Sequence, residues 1–195
     1  KLSYKYCMKK KIDIFDQTIN QVYGSFLHLK NIKRVFYKSA ILINKTLKKN
    51  KIIFCGNGGS AADASHAVAE FVGRYIKKKR EPLNAISLNE NNSTITALAN
   101  DFEYKYVFSK QLEAVGKKGD VLFAISTSGK SKNIIEVIKK AKLMKLKTIL
   151  LTGDNKISKK ISDICIKVPA KRVDRIQELH ILILHLLAEY VDQRN

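Results

Sequence analysis

A four-residue apolar run, Ile52 to Cys55, breaks into the turn GNGGS and then into the helical stretch SAADASHAVAEFV. This unit narrows the available folds more than any other segment. An apolar run bounded by Lys51 and Gly56 predicts a short buried strand. Gly56, Gly58 and Gly59 permit backbone angles closed to other residues. Ser60 is the expected N-cap of a helix over 60–73, with Asp63 three positions on, close to a capping box. Free N–H groups and the positive end of the helix dipole would then face an anionic ligand above the strand.

Within that helix His66 and Glu70 are four residues apart and share a face. A His/Glu pair alone usually marks a surface hydrogen bond. An anion loop on the same helix turns the reading toward a site. A second hydroxyl-rich turn, Ser126, Thr127, Ser128, Gly129, Lys130 and Ser131, follows the apolar run VLFAI and precedes another helix. Such a turn alone is usually a capped helix start. At the same end of the sheet as the first loop, hydroxyls and helix N–H groups together suit a sugar phosphate.

Strands are expected at 52–55, 84–88, 120–125, 147–151 and 163–168. Helices are expected at 60–73, 92–99, about 104–116, 131–144, briefly near 156–160, and from 172 onward. This alternation predicts an α/β fold, a three-layer α-β-α sandwich around a central five-stranded parallel sheet of flavodoxin-like type. Ligands in such sheets bind at the carboxyl ends of the strands. Ahead of the alternation, Ile12, Phe15, Ile19, Val22, Phe26 and Leu29 form an a/d seam for a helical partner, and a second helix spans roughly 32–49. Residues 1–50 are therefore expected to form an N-terminal helical hairpin for oligomerisation, and 51–195 the domain proper, together effectively a single domain.

The net charge of +20 invites a nucleic-acid reading. Arginine, however, occurs only at 34, 74, 80, 172, 175 and 194, so the excess is lysine spread along the chain. It is read as compositional bias with weak affinity for polyanions, not as specific DNA or RNA binding. The densest run, Lys77 to Arg80, reads as a solvated loop. Cys7, Cys55 and Cys165 lack metal-type spacing, and the opening residues lack the apolar core of a signal peptide. A reduced, cytoplasmic protein that does not cross a membrane is expected, with its native start upstream of the first lysine.

Four segments occur in order: CGNGGS with the His66/Glu70 helix, ALANDF at 97–102, STSGKS at 126–131, and DRIQELHILILH at 174–185. Together they resemble the sugar isomerase (SIS) family, and within it the phosphoheptose isomerases. That family converts sedoheptulose 7-phosphate to D-glycero-D-manno-heptose 7-phosphate, the first step toward activated heptose for lipopolysaccharide or capsule. The resemblance implies a homotetramer with active sites between subunits and one zinc ion (Zn2+) per subunit. It implies Glu70 and His185 as the acid/base pair, and His66, Glu70, Gln177 and His185 as zinc ligands. Asn57, Gly58, Ser60, Ser126, Thr127, Ser128 and Ser131 match the positions that hold phosphate and sugar. Glu70, Arg74, Asn100, Asp101, Asp174 and Gln177 match further contacts to the open-chain sugar. The segment LTGDNKISKKISD is shorter than the family pattern, and the stretch after Arg74 is longer.

Spacing along the last helix does not choose between His180 and His185. The resemblance selects His185 and leaves His180, like His28, a structural histidine. Three other readings compete. A non-catalytic relative that binds the replication initiator DnaA lacks equivalents of Glu70 and His185. A sugar-phosphate-binding regulatory module would share the loops without the chemistry. Dinucleotide binding at Gly56-x-Gly58-x-x-Ala61 lacks the acidic residue expected about twenty positions on.

Overall fold

The computed structural model describes residues 13–158 and 161–194. Helix α1 (Ile14–His28) leads through a 3₁₀ turn (Leu29–Ile32) into α2 (Lys33–Leu47). The alternating part follows as β1 (Ile52–Cys55), α3 (Gly59–Val72), β2 (Ala85–Ser87), α4 (Asn92–Asp101), a 3₁₀ turn at Tyr104–Tyr106 and α5 (Val107–Val115). It continues as β3 (Val121–Ile125), α6 (Lys132–Leu143), β4 (Lys147–Gly153), β5 (Ile164–Val168) and α7 (Val173–Asp192).

All strand pairs are parallel, in the order β2-β1-β3-β4-β5. Every residue of β1 and β3 is buried, as expected of central strands covered on both faces. Alternate side chains divide between two cores. Ile52, Phe54, Val121, Phe123, Ile149 and Leu151 pack with α2, α3 and α7. Ile53, Cys55, Leu122, Ala124 and Leu150 pack with α5 and α6. The three-layer sandwich and its parallel five-stranded sheet are those expected. Helix α2 is built into one layer through Ala40 and Ile43, whereas α1 has no buried residue.

Strand β1 lies between β2 and β3, with Ile52 aligned to both Ala85 and Val121. The winding reverses between β1 and β3, which opens a crevice at their carboxyl ends. The two loops singled out above emerge there side by side.

The structure corrects several expectations. Gly58, not Ser60, is the N-cap of α3, because it takes the left-handed φ of 55° while Ser60 is buried in the first turn. The helix expected near 156–160 is absent from 156–158, which are irregular, and 159–160 lie outside the described residues, as does Ile12. Lys77 to Lys79 are exposed as expected, but the Arg80 side chain is only 2% exposed and pairs with Asp192. His180 is fully buried, a core residue as supposed.

Candidate active site

The first loop is fastened before it meets a ligand. Gly56 N donates to Asn89 Oδ1 at 3.1 Å and Gly56 O accepts from Asn89 Nδ2 at 2.8 Å, so the exits of β1 and β2 are joined. A Cβ on Gly56 would stand 2.3 Å from Ser60 O, which leaves no room for a side chain under the turn. Gly58 caps α3 without any side-chain hydrogen bond. Within the first turn Ser60 N donates to Asn57 O at 3.0 Å and Ala61 N to Gly58 O at 2.9 Å, so the turn is closed by its own backbone and the positive pole of the helix faces the crevice.

The second loop is held from behind. Thr127 O accepts from Gly153 N at 3.1 Å and from Asn155 Nδ2 at 2.9 Å, anchoring the turn on the end of β4. Ser126 Oγ accepts from Gly129 N at 3.1 Å and lies 3.4 Å from Ser131 Oγ, while Ser128 Oγ accepts from Lys130 N. Ser131 caps α6 without a side-chain hydrogen bond to the helix, and behind it the Ile134 N–H donates to Asn133 Oδ1 at 3.0 Å. Asn57 and Asn133 join the two loops through reciprocal amide hydrogen bonds of 2.9 and 2.8 Å, and Tyr104 Oη donates to Asn57 Oδ1 at 3.1 Å. Asn89, Tyr104 and Asn133 were missed in the sequence. Asn133, within a helix of alternating lysines and isoleucines, reads as ordinary surface polarity, yet it is 3% exposed.

Farther along α3, His66 and Glu70 meet His185 from α7. His66 Nε2 lies 2.8 Å from His185 Nε2 and 3.3 Å from Glu70 Oε1. Tyr75 stacks beside His185 with ring centroids 6.1 Å apart, and burial raises its hydroxyl pKa, helped by Glu189, Glu70 and Asp192. One turn before His66, burial pushes the Asp63 carboxyl up to about 6, with His66 pulling the other way, and its Oδ2 is buried without a hydrogen bond. Gln177 sits at the start of α7 against Gly59, where a Cβ would lie 2.2 Å from its Nε2. It is eight residues before His185, or about 12 Å along the helix axis.

The remaining candidates lie at the margins. Arg74 is exposed just past α3. Asn100 Nδ2 donates to Asp101 Oδ1 at 3.1 Å at the end of α4, three residues before Tyr104. Asp174 accepts from Arg172 Nε at 2.7 Å, and that guanidinium holds its carboxyl far below the usual range.

His66, Glu70 and His185 place one ligand atom each within 4.8 Å of one another. Two ligand atoms on a tetrahedral zinc stand about 3.3 Å apart. The His66–Glu70 separation of 3.3 Å meets this, and the two imidazoles, at 2.8 Å, need to part by only about half an ångström. Two imidazoles and a carboxylate are a donor set suited to zinc, and the residues fit it.

An open-chain sugar phosphate calls for an anion cradle and a carbon acid for a base. The candidate cradle lies at the carboxyl ends of β1 and β3, and the candidate base Glu70 stands eleven residues along α3 from Gly59, about 16 Å by helical rise. Comparison with known proteins gives the family. The SIS domain family matches residues 27–153. A phosphoheptose isomerase from Helicobacter pylori is 46% identical over 167 residues, covering 85% of this chain and 86% of that one. The solved phosphoheptose isomerase of Neisseria gonorrhoeae superposes with a TM-score of 0.83 at 37% identity, over 92% of this chain and 97% of that one. The Francisella tularensis enzyme does so with a TM-score of 0.86 at 30% identity, over 92% and 96%. On these grounds the chain belongs to the SIS domain family and, within it, to the phosphoheptose isomerases.

Proposed function

We propose that the protein isomerises sedoheptulose 7-phosphate to D-glycero-D-manno-heptose 7-phosphate through a cis-enediol, supplying the heptose branch of surface-glycan synthesis. The observation that carries this reading is the meeting of His66, Glu70 and His185 on α3 and α7, the former beginning at the anion loop. The phosphate is received by the N-termini of α3 and α6 together with Ser60, Ser126, Thr127, Ser128 and Ser131. Asn57, Gly58, Asn100, Asp101, Arg74, Asp174 and Gln177 line the sugar.

Glu70 removes a proton from C1 of the ketose and returns it to C2 of the enediol. His185 accepts the O1 proton and delivers one to O2, so that the C1 aldehyde forms as the C2 ketone is lost. Tyr75, stacked beside His185, keeps the ring oriented. A zinc ion would be held by His66, Glu70 and His185, the three that the structure brings together; Gln177, the fourth ligand that the resemblance implies, lies against Gly59 nearer the start of α7. When bound the ion supplies polarisation of the carbonyl oxygen.

The assembly is a cytoplasmic homotetramer with sites between subunits. Support comes from α1, where Ile14, Phe15 and Ile19 are 77%, 73% and 50% exposed on a helix without buried residues. A stripe of that kind calls for a helical partner. Among the described residues no helix is long and apolar enough to cross a membrane. The replication-regulator reading is not favoured, since both acid/base positions are occupied. The test is turnover of sedoheptulose 7-phosphate by the wild type, Glu70→Gln and His185→Gln, with zinc supplied or chelated. Aldose formed by the wild type and lost in both variants supports the reading. Absence of turnover by an intact wild-type tetramer in either condition overturns it.

A further inference from the structure

The lysine-rich loop after α3 ends in a cation that is buried. Arg80 Nη1 donates to Phe71 O at 2.9 Å, and Nη2 donates to Glu70 O at 2.8 Å and to Gly73 O. Its Nε stands 2.8 Å from Asp192 Oδ1, both side chains being 2% exposed. Asp192 Oδ2 in turn accepts from Ile76 N at 3.2 Å and Lys77 N at 2.7 Å. The last carbonyls of a helix lack intrahelical partners and carry its negative pole, so a guanidinium under the end of α3 is a well-matched cap. Here the cap is ion-paired with the final residue of α7.

Helices α3 and α7 run side by side in the same direction. Gly59 meets Gln177 at their first turns, His66 meets His185 midway, and the end of α3 is tied to Asp192 at their last turns. Glu70 is fastened through its own backbone carbonyl. His185 lies about two helical turns before Asp192. Any slip of α3 along α7 changes the separation of Glu70 from His185 directly. A buried ion pair contributes little net stability compared with a well-packed apolar pair. Its surroundings, in contrast, are directional: five hydrogen bonds to backbone groups flank the ion pair.

We propose that Arg80 and Asp192 are positioning residues for isomerisation: they set the register of α3 against α7 and thereby hold Glu70 and His185 at the separation that proton transfer requires. This rests on the assignment of Glu70 and His185 to the reaction. Neither residue touches substrate. Removal is expected to lower kcat while sparing the phosphate cradle, about 20 residues earlier on α3 and on α6.

The test compares the full-length tetramer as wild type, Arg80→Lys, and the double variant Arg80→Met/Asp192→Leu, which removes both charges together. Melting temperature, kcat, KM and zinc affinity by equilibrium dialysis are read for each. The expected result for the double variant is a melting temperature lowered by the loss of the backbone hydrogen bonds around the ion pair. The protein is still folded at the assay temperature, with near-wild-type KM, kcat reduced about 10- to 100-fold and zinc bound more weakly. Arg80→Lys, which keeps the charge pair but cannot reach three carbonyls, should fall between. Should the double variant fail to fold, Arg80→Lys decides alone, by a loss of kcat at unchanged KM in protein folded at the assay temperature. Wild-type kcat and zinc affinity in a folded double variant or in Arg80→Lys overturn the inference, as does a kcat that only tracks the folded fraction at the assay temperature. A Glu70→Gln control separates the two levels. If it keeps turnover, the site assignment fails; if it is inactive while the Arg80 variants are fully active, only the positioning role fails.

Discussion

Replacing Gly59 by alanine separates folding from catalysis in this protein. Gly59 opens α3, and its φ is not in the left-handed region, so an alanine backbone is accommodated and helix propensity changes by at most about 1 kcal/mol in its favour. The added Cβ would, however, lie 2.2 Å from Gln177 Nε2 and 2.9 Å from its Cδ, against an ordinary contact of 3.4–4 Å. The obstacle is the far end of a flexible side chain, so Gln177 retreats by more than an ångström and the helices stay in place. An amide that has lost one hydrogen bond to the sugar costs about 1–2 kcal/mol, or roughly 5- to 30-fold in kcat/KM. The assay is isomerase turnover beside thermal melting and sedimentation. The expected outcome is an intact, equally stable assembly with that loss of kcat/KM, and no further loss when Gly59→Ala is added to Gln177→Ala. A folded Gly59→Ala with wild-type kcat/KM would refute participation of Gln177. A large fall in melting temperature would refute the claim that Gln177 absorbs the contact.

Asn133→Ala strands Asn57 in a half-buried position and should cost about 1–3 kcal/mol in thermal or denaturant unfolding, with a raised KM for the sugar phosphate. His180 is buried with neither ring nitrogen hydrogen-bonded, although the backbone of Thr152 lies close enough to favour the charged ring weakly; burial dominates and holds its pKa at about 4 against 6.5 for a free ring. The unfolded chain therefore takes up a proton that the folded one refuses. Stability falls by up to about 3 kcal/mol as pH drops from about 6.5 to about 4, and in His180→Leu this acid limb should flatten in pH-dependent urea titrations. Sedimentation should give a tetramer for the wild type and smaller species for Phe15→Lys/Ile19→Lys, a wild-type monomer being the contrary result.

The features legible in the sequence were those whose chemistry is local. A strand, a glycine turn and a helix carrying His66 and Glu70 are contiguous, and each signal there reinforces the next. The a/d stripe of α1 and the STSGKS turn are equally self-contained. The missed features depend on partners distant in sequence. Asn133 becomes a site residue only because Asn57, 76 positions away, reaches it across the β1–β3 crevice. Arg80 looked like the end of a solvated lysine run because its partner, Asp192, lies on the last turn of α7. Ser60 seemed the better N-cap by residue type, but the sharp exit from β1 requires a positive φ at the capping position, which Gly58 provides at lower cost. The helix expected near 156–160 is absent at 156–158 for a similar reason. The Lys167 ammonium donates to Asn155 O at 2.8 Å and Asn155 Nδ2 to Thr127 O, holding the start of that stretch as a brace for the second loop.

The central claim is that Glu70 moves a proton between carbons of a bound sugar phosphate. Its most direct test is Glu70→Gln followed by proton NMR on sedoheptulose 7-phosphate in deuterated water, with ligand-induced thermal stabilisation measured on the same sample. The account predicts that the wild type forms the aldose, while the variant is stabilised by the sugar phosphate to a similar degree and forms none. Aldose formed by Glu70→Gln at the wild-type rate would contradict it.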